Sequence, residues 1–371
     1  MKITRVETVR VSMPYAFPIR QSRGEFTEFV PSANMTLVKV HTDDGILGLG
    51  ETGFLTYSAI DRVIHEHISP FIIGKDPFEI ANIHSIMDQS EMNVNERYGP
   101  FSSGSSAIDM ALYDIVGKAL GVPIYKLLGG PVRSVVPLEP GVVGIGTVED
   151  TVKRARQLHD MGHKVIKLKV GSDEELDVER VKGVREALGD AVKIRVDANQ
   201  GWRSKQAIKI VDRMDRYDLH LVEQPVAYWN LKGMAEVKRA VRVPVMADES
   251  LWGPYDAINL VRLEAADIFD IYINKSPGIY NSMKIAHIGE PAGITCDVAA
   301  VGPFLGRVAG AHVAASIRNL ADGGNMRGPW MIADDLLLDP PKETRDGLEL
   351  PTKPGLGVEL DEAKVQKYRV K

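Results

Sequence analysis

The sequence predicts an α/β fold, a (β/α)7β-type TIM barrel behind a smaller N-terminal α+β capping domain. Three observations predict it. Strand-like runs fill residues 1–50 and helical periodicity takes over from 58 to 130, an order that suits a separate α+β unit. From about 134 to 330 short apolar runs alternate with amphipathic stretches, the rhythm of a parallel sheet wrapped by helices. Within that region Asp197, Glu223 and Asp248 each close an apolar run, 26 and 25 residues apart. A strand, a helix and two turns take roughly that length in a βαβ unit.

Along the capping domain (1–130), residues 35–42 and 46–51 form a hairpin around Asp43-Asp44-Gly45. Residues 12–33 carry prolines at 14, 18 and 31 and read as a long loop over the site. Ser106–Gly121 is an amphipathic helix that stops at Gly121-Val122-Pro123. The breaker cluster Gly129-Gly130-Pro131 marks the boundary. In the barrel domain (131–340), strands are expected near 135–143, 165–170, 193–197, 219–223, 245–248, 268–273, 294–297 and 323–326. Helices such as Glu174–Leu188 and Ser204–Tyr217 lie between them. No GxGxxG follows a strand, which disfavours a dinucleotide fold. The segment 341–371, rich in proline and charge, is expected to pack back on the capping domain.

Composition narrows the function classes. The 371 residues carry a formal net charge of −5, and 44% are hydrophobic. That balance argues against nucleic acid as a partner. No run approaches the ~20 apolar residues that span a bilayer. A single cysteine, Cys296, forms no intrachain disulfide and fits a reducing compartment, so a cytoplasmic enzyme is expected.

The chemistry is expected at the C-terminal rim of the strands. In a parallel barrel Asp197, Glu223 and Asp248 share that rim, and three carboxylates there repel unless a cation joins them. Hard oxygen ligands of this kind suit Mg²⁺. One strand earlier, Lys167 and Lys169 stand two apart and face the same way. Crowded, partly buried lysines lose basicity, which makes one of them a usable base near neutral pH.

In order, Lys167-x-Lys169, Asp197-x-Asn199, Glu223-Gln224-Pro225 and Asp248-Glu249-Ser250 resemble the enolase superfamily, closest to its muconate-lactonizing-enzyme and mandelate-racemase groups. That superfamily is itself a standard illustration of a Lys or His base working beside Mg²⁺. The resemblance covers nearly the whole chain. It implies that Asp197, Glu223 and Asp248 ligate one Mg²⁺ per subunit. It implies that Lys169 removes the proton α to a substrate carboxylate, giving an enolate, with Lys167 holding that carboxylate. It also implies a homo-oligomer acting on a small carboxylate.

The sequence departs from the family's pattern opposite Lys169. Aligning Pro277-Gly278 with the family's Gly-Gly pair puts Tyr272 where lactonizing-type members carry a catalytic Lys, and Lys275 falls beyond the strand end; a three-residue slip would bring Lys275 into that place. Strand seven has no His, and Asn325 replaces a Glu on strand eight. A tyrosine, with its ordinary pKa near ~10, is a poor base but a usable acid. One-base chemistry is therefore expected, with β-elimination (a dehydratase of an acid sugar or related hydroxy acid) first. The alternatives are an isomerase, either a muconate-type cycloisomerase or a racemase or epimerase of an amino acid derivative, and a non-catalytic metal-binding relative. Asn199, Glu249, Lys275, Asp297, Asn325, Tyr15 and Arg23 are the candidate substrate contacts.

Overall fold

The computed structural model describes residues 1–371 except 24–25, 54–56, 92–98, 138–140, 301, 322–324, 327–330, 345 and 371; at 17–23, 26–30, 57–58, 91 and 325–326 only the backbone is described. The N-terminal sheet has the order β1 (Ile3–Arg23), β2 (Phe26–Thr42), β3 (Leu47–Glu51), all antiparallel. Alternate side chains such as Val11, Met13, Met35 and Leu37 are buried. The helix Pro100–Leu120 lies so close to β3 that a Cβ on Gly50 would come 1.9 Å from the Ala107 carbonyl oxygen. Only glycine allows that approach.

Two expectations are corrected here. Residues 12–33 are the far ends of β1 and β2 rather than a loop: pairing runs from Val11↔Met35 through Pro14↔Ser32 and resumes at Ile19↔Val30. Pro18 and Pro31 both fall in the register shift between those pairs, where a missing N–H breaks no ladder bond. The run 135–143 is two strands. β4 (Val135–Val136) pairs with Gly347–Glu349 of the C-terminal segment, and β5 (Gly141–Val143) opens the barrel.

The barrel strands follow in chain order: β6 (Val165–Lys169), β7 (Lys193–Asp197), β8 (Leu219–Glu223), β9 (Val245–Ala247), β10 (Ile268–Tyr272), β11 (Thr295–Ala300) and β12 (Asn325–Met326). With β5 they form one eight-stranded parallel sheet in sequential order, helices between, as a TIM-type barrel requires. The helix Glu174–Leu188 has the predicted bounds, with Asp173 accepting from the Leu176 amide at its N-terminus. The last residues return to the first: the Val370 amide donates to the Arg10 carbonyl at 3.0 Å, and Leu356 donates to Asp114 at 2.8 Å. Among the described residues no helix is long and apolar enough to cross a membrane.

Candidate active site and metal centre

Strand alternation sends every second side chain inward. The inward positions therefore stack in layers. Leu221, Met246 and Ile268 pack together in a buried cluster, each two residues before an acidic residue on or just past the end of its strand. Arg195, two before Asp197, forms a buried ion pair across the barrel with Asp297 on β11. Asp297, expected among the substrate contacts, is thus turned into the barrel interior. A charge that deep needs its partner.

At the strand ends the polar groups converge. On β6, Lys167 Nζ lies 3.2 Å from Glu223 Oε2 and 3.9 Å from Asp197 Oδ2. Lys169 Nζ donates to Asp197 Oδ2 at 2.5 Å and to Asn199 Oδ1 at 2.8 Å. From the turn after β10, Lys275 Nζ is ion-paired with Asp248 Oδ1, and it donates to the Asp248 carbonyl at 2.6 Å. The same ammonium sits 4.7 Å from the centre of the Tyr272 ring. Strands β6 and β10 are four apart in a sheet of eight. Lys169 and Lys275 therefore approach one carboxylate cluster from opposite walls.

The backbone explains why these motifs read as they do. Asn199 (φ 42°), Gln200 (φ 72°) and Gln224 (φ 39°) are non-glycine residues in the left-handed region, just past the ends of β7 and β8. Such strain persists where surrounding contacts fix it. Gln224 shows how: its Oε1 accepts from the amides of Asp248 and Ser250, both at 3.0 Å, and its Nε2 donates to Ser250 Oγ at 2.8 Å. Glu-Gln-Pro and Asp-Glu-Ser are thereby one hydrogen-bonded unit that aims Glu223 and Asp248 together.

Glu223, Asp248 and Asp270 each offer an oxygen within 4.8 Å of the others, and all three are buried. Asp270 was not singled out by the sequence reading. Its signal was available, since it is an aspartate amid apolar residues on β10, two before Tyr272 and so on the same face. Burial, reinforced by Asp197, pushes the Glu223 carboxyl well above its usual range, and burial with Asp248 does the same to Asp270. Glu249, half-buried and near Asp248 and Asp197, is pushed to about 8 by desolvation and those two charges; its Oε1 accepts from Asn199 and Gln200. At Asp197 burial opposes the charge, but Lys169 and Lys167 outweigh it and hold the carboxyl below its ordinary value. Five carboxyl groups (Asp197, Glu223, Asp248, Glu249, Asp270) thus face three ammonium groups (Lys167, Lys169, Lys275). Fully ionised, the cluster is two positive charges short, a deficit that the charge of an oxygen-seeking divalent cation would match.

The remaining candidates scatter. Tyr15 is buried and bridges Ile332. Asn325 forms β12 beside Ala299, with its side chain outside the described residues, as is that of Arg23. Past β3 the chain is described to Gly53, whose amide donates to Ser103 Oγ at 3.0 Å.

Comparison with known proteins agrees with this architecture. Residues 3–129 match the mandelate racemase / muconate lactonizing enzyme N-terminal domain model, and residues 150–364 match the enolase C-terminal domain-like model. N-succinyl-L-Arg/Lys racemase of Bacillus cereus is 34% identical over an alignment spanning 100% of this chain and 98% of that protein. Its crystal structure superposes with a TM-score of 0.92 at 31% identity, covering 100% of this chain and 99% of the other. Muconate cycloisomerase 1-1 of Acinetobacter lwoffii is 32% identical over 99% of this chain and 96% of its own. A dipeptide epimerase from Cytophaga hutchinsonii, crystallised with Mg and the dipeptide D-Ala-L-Val, superposes with a TM-score of 0.89 at 29% identity, covering 99% of this chain and 98% of that one. Two matched domain models, full-length relatives and a carboxylate–lysine rim in the expected order lead to one assignment: this chain is an enzyme of the mandelate racemase / muconate lactonizing enzyme family, within the enolase superfamily.

Proposed function

We propose that this enzyme is a Mg²⁺-dependent racemase or epimerase of an N-acylated amino acid or dipeptide, moving the proton on the carbon α to the substrate carboxylate. The observation that carries the reading is the pair Lys169 and Lys275, set on opposite walls around one carboxylate cluster. Inversion needs a proton acceptor on one face of the α-carbon and a donor on the other. In this reading Lys169 Nζ serves one face, oriented by Asn199 and Asp197, and Lys275 Nζ serves the other. Lys167 holds the substrate carboxylate. Asp197, Glu223 and Asp248 hold one Mg²⁺ per subunit, with Asp270 beside them. When bound, the ion supplies Lewis-acid stabilisation of the negative charge that builds on the substrate carboxylate. The racemase and the epimerase named above act on substrates of this class, as their names state, which favours the isomerase branch over β-elimination.

A second reading has its own observation. Tyr272 ends β10 on the inward face, against Lys275. If Tyr272 fills the opposing place, one-base chemistry follows, either cycloisomerisation or loss of water. Incubation in D₂O with Mg²⁺ separates these, using N-succinyl-L-arginine, N-succinyl-L-lysine and L-Ala-L-Glu. Deuterium appearing at the α-carbon together with the opposite configuration supports the racemase or epimerase. A product one water lighter, or exchange with full retention, refutes it.

A further inference from the structure

The turn that carries Lys275 is held from outside the barrel. Past β10 the chain turns through Ile273–Pro277 and enters the helix Gly278–Gly289. Pro277 supplies no side-chain cap to that helix. The orphan amides at a helix start need acceptors. Here the acceptor comes from the other domain. Asp109, fully buried on the capping-domain helix Pro100–Leu120, receives the Ile279 amide on Oδ2 at 2.5 Å and the Tyr280 amide at 3.4 Å. Its other oxygen, Oδ1, is 2.6 Å from His84 Nε2, and the His84 ring stacks on Tyr280 with centroids 4.6 Å apart. Gly278 (φ 76°) makes this possible, because a Cβ there would lie 2.0 Å from Asp109 Oδ2. One helical turn before Asp109, Ser106 Oγ donates to the Ile273 carbonyl at 2.6 Å. From β3, the Glu51 carbonyl accepts from Asn274 Nδ2 at 2.8 Å. The backbone on both sides of Lys275 is thus bonded to the capping domain.

We infer that Asp109, supported by His84 and Ser106, is a positioning residue for Lys275: the capping domain sets where the second proton-transfer group stands through this external helix cap. The inference rests on the two-lysine reading above. An anionic acceptor at a helix N-terminus is favoured by both the free amides and the dipole, and a misplacement on the order of 1 Å costs ~100-fold in rate. Lys169 stands on β6 at the far wall, and none of these bonds touches it.

The test uses the full-length enzyme with Mg²⁺ and four variants: Asp109→Asn, Asp109→Ala, Ser106→Ala and Lys275→Met. Amide hydrogen exchange across residues 273–280 needs no substrate. Faster exchange there in Asp109→Ala, with the β6–β7 amides unchanged, is expected; equal exchange in that segment overturns the inference. With N-succinyl-D- and L-arginine in D₂O, inversion is read against α-proton exchange with retention. Asp109→Ala and Ser106→Ala should lose inversion by about 10- to 100-fold while one enantiomer still exchanges through Lys169, and Asp109→Asn should restore part of it. An equal loss of inversion and exchange marks Asp109 as domain cement and overturns the inference. Lys275→Met keeping full inversion overturns the two-lysine reading itself, whatever Asp109 does. If Asp109→Ala does not fold, Ser106→Ala decides alone.

Discussion

Neutralising one acid of the rim should stabilise this enzyme when metal is removed. Glu223, Asp248 and Asp270 approach within 4.8 Å of one another. At that distance, with an effective dielectric constant of ~20, two unit charges repel by about 3.5 kcal/mol. Asp270 faces two such neighbours, and the strain shows in its raised carboxyl, caused first by burial and then by Asp248. Protonation and the nearby Lys167 and Lys275 offset part of this. The net gain from Asp270→Asn in metal-free protein should be on the order of 2 kcal/mol. With an unfolding entropy of ~2.1 cal/mol/K per residue, 2 kcal/mol in a chain of this size moves the Tm upward by roughly 2–3 °C. Calorimetric melts at pH 8 with EDTA, then with excess Mg²⁺, give the comparison. Wild type should gain more from Mg²⁺ than the variant, because ligand that binds only the folded state raises stability by mass action. A lower metal-free Tm for Asp270→Asn, or a wild-type Tm indifferent to Mg²⁺, would refute the view of this cluster as a cation site waiting on its charge.

Three further outcomes are expected. Lys169→Met should cut α-proton exchange by about 10²–10⁴-fold while keeping the Mg²⁺-dependent rise in Tm; an unchanged exchange rate removes Lys169 from the mechanism. Asp297→Asn should destabilise by roughly 3–5 kcal/mol, because it leaves the Arg195 guanidinium buried without its counter-charge, and Arg195→Met with Asp297→Leu should recover most of the loss; denaturant titration of both variants reads this, and a double variant no more stable than Asp297→Asn would show that the pair is not one unit. Glu51, whose carboxylate accepts the Phe304 and Gly306 amides, has its carboxyl raised to about 8 by burial. A raised acid binds its proton more tightly in the folded state. Its contribution is therefore fullest below the ordinary carboxyl range and is lost as pH rises toward 8, by up to ~1.4 kcal/mol per pH unit. Glu51→Gln should flatten that part of the stability–pH curve; a slope between pH 5 and 8 identical to wild type contradicts it.

How much of this was legible in the sequence depended on whether a signal was periodic. The barrel strands and the carboxylates at their ends repeat with the βα unit, and 26 and 25 residues of spacing located Asp197, Glu223 and Asp248. Helix stops with a chemical cause were equally legible: Gly121 (φ 69°) ends the helix where glycine and a following proline predict. The start of that helix was missed by six residues, because Pro100-Phe101-Ser102-Ser103-Gly104-Ser105 is poor in helix formers and it is the burial of Phe101–Ser105 that recruits it. The hairpin of β1 and β2 was hidden by three prolines, two of which (Pro18 and Pro31) are made harmless by a register shift, a property of the pair rather than of either strand.

The segment after β10 shows a deeper reason why spacing alone falls short. Counting from Gly278 places Tyr272 at the strand end, and the backbone agrees, since β10 closes at Tyr272. Yet the ammonium that reaches Asp248 belongs to Lys275, three residues on. The turn is tight: the amides of Lys275 and Ser276 both donate to the Tyr272 carbonyl, at 3.0 and 2.7 Å. That fold-back lays Lys275 over the Tyr272 ring, and a lysine's long flexible stem carries its charge back to the rim. Alignment by sequence position counts backbone atoms, whereas the reaction is decided by where the nitrogen sits. What fixes the turn is contributed by Ser106, Asp109 and Glu51, which lie more than 160 residues away in another domain. Any reading of strand-end chemistry confined to the barrel would omit them, and with them the contacts that fix the turn holding the Lys275 ammonium beside Asp248.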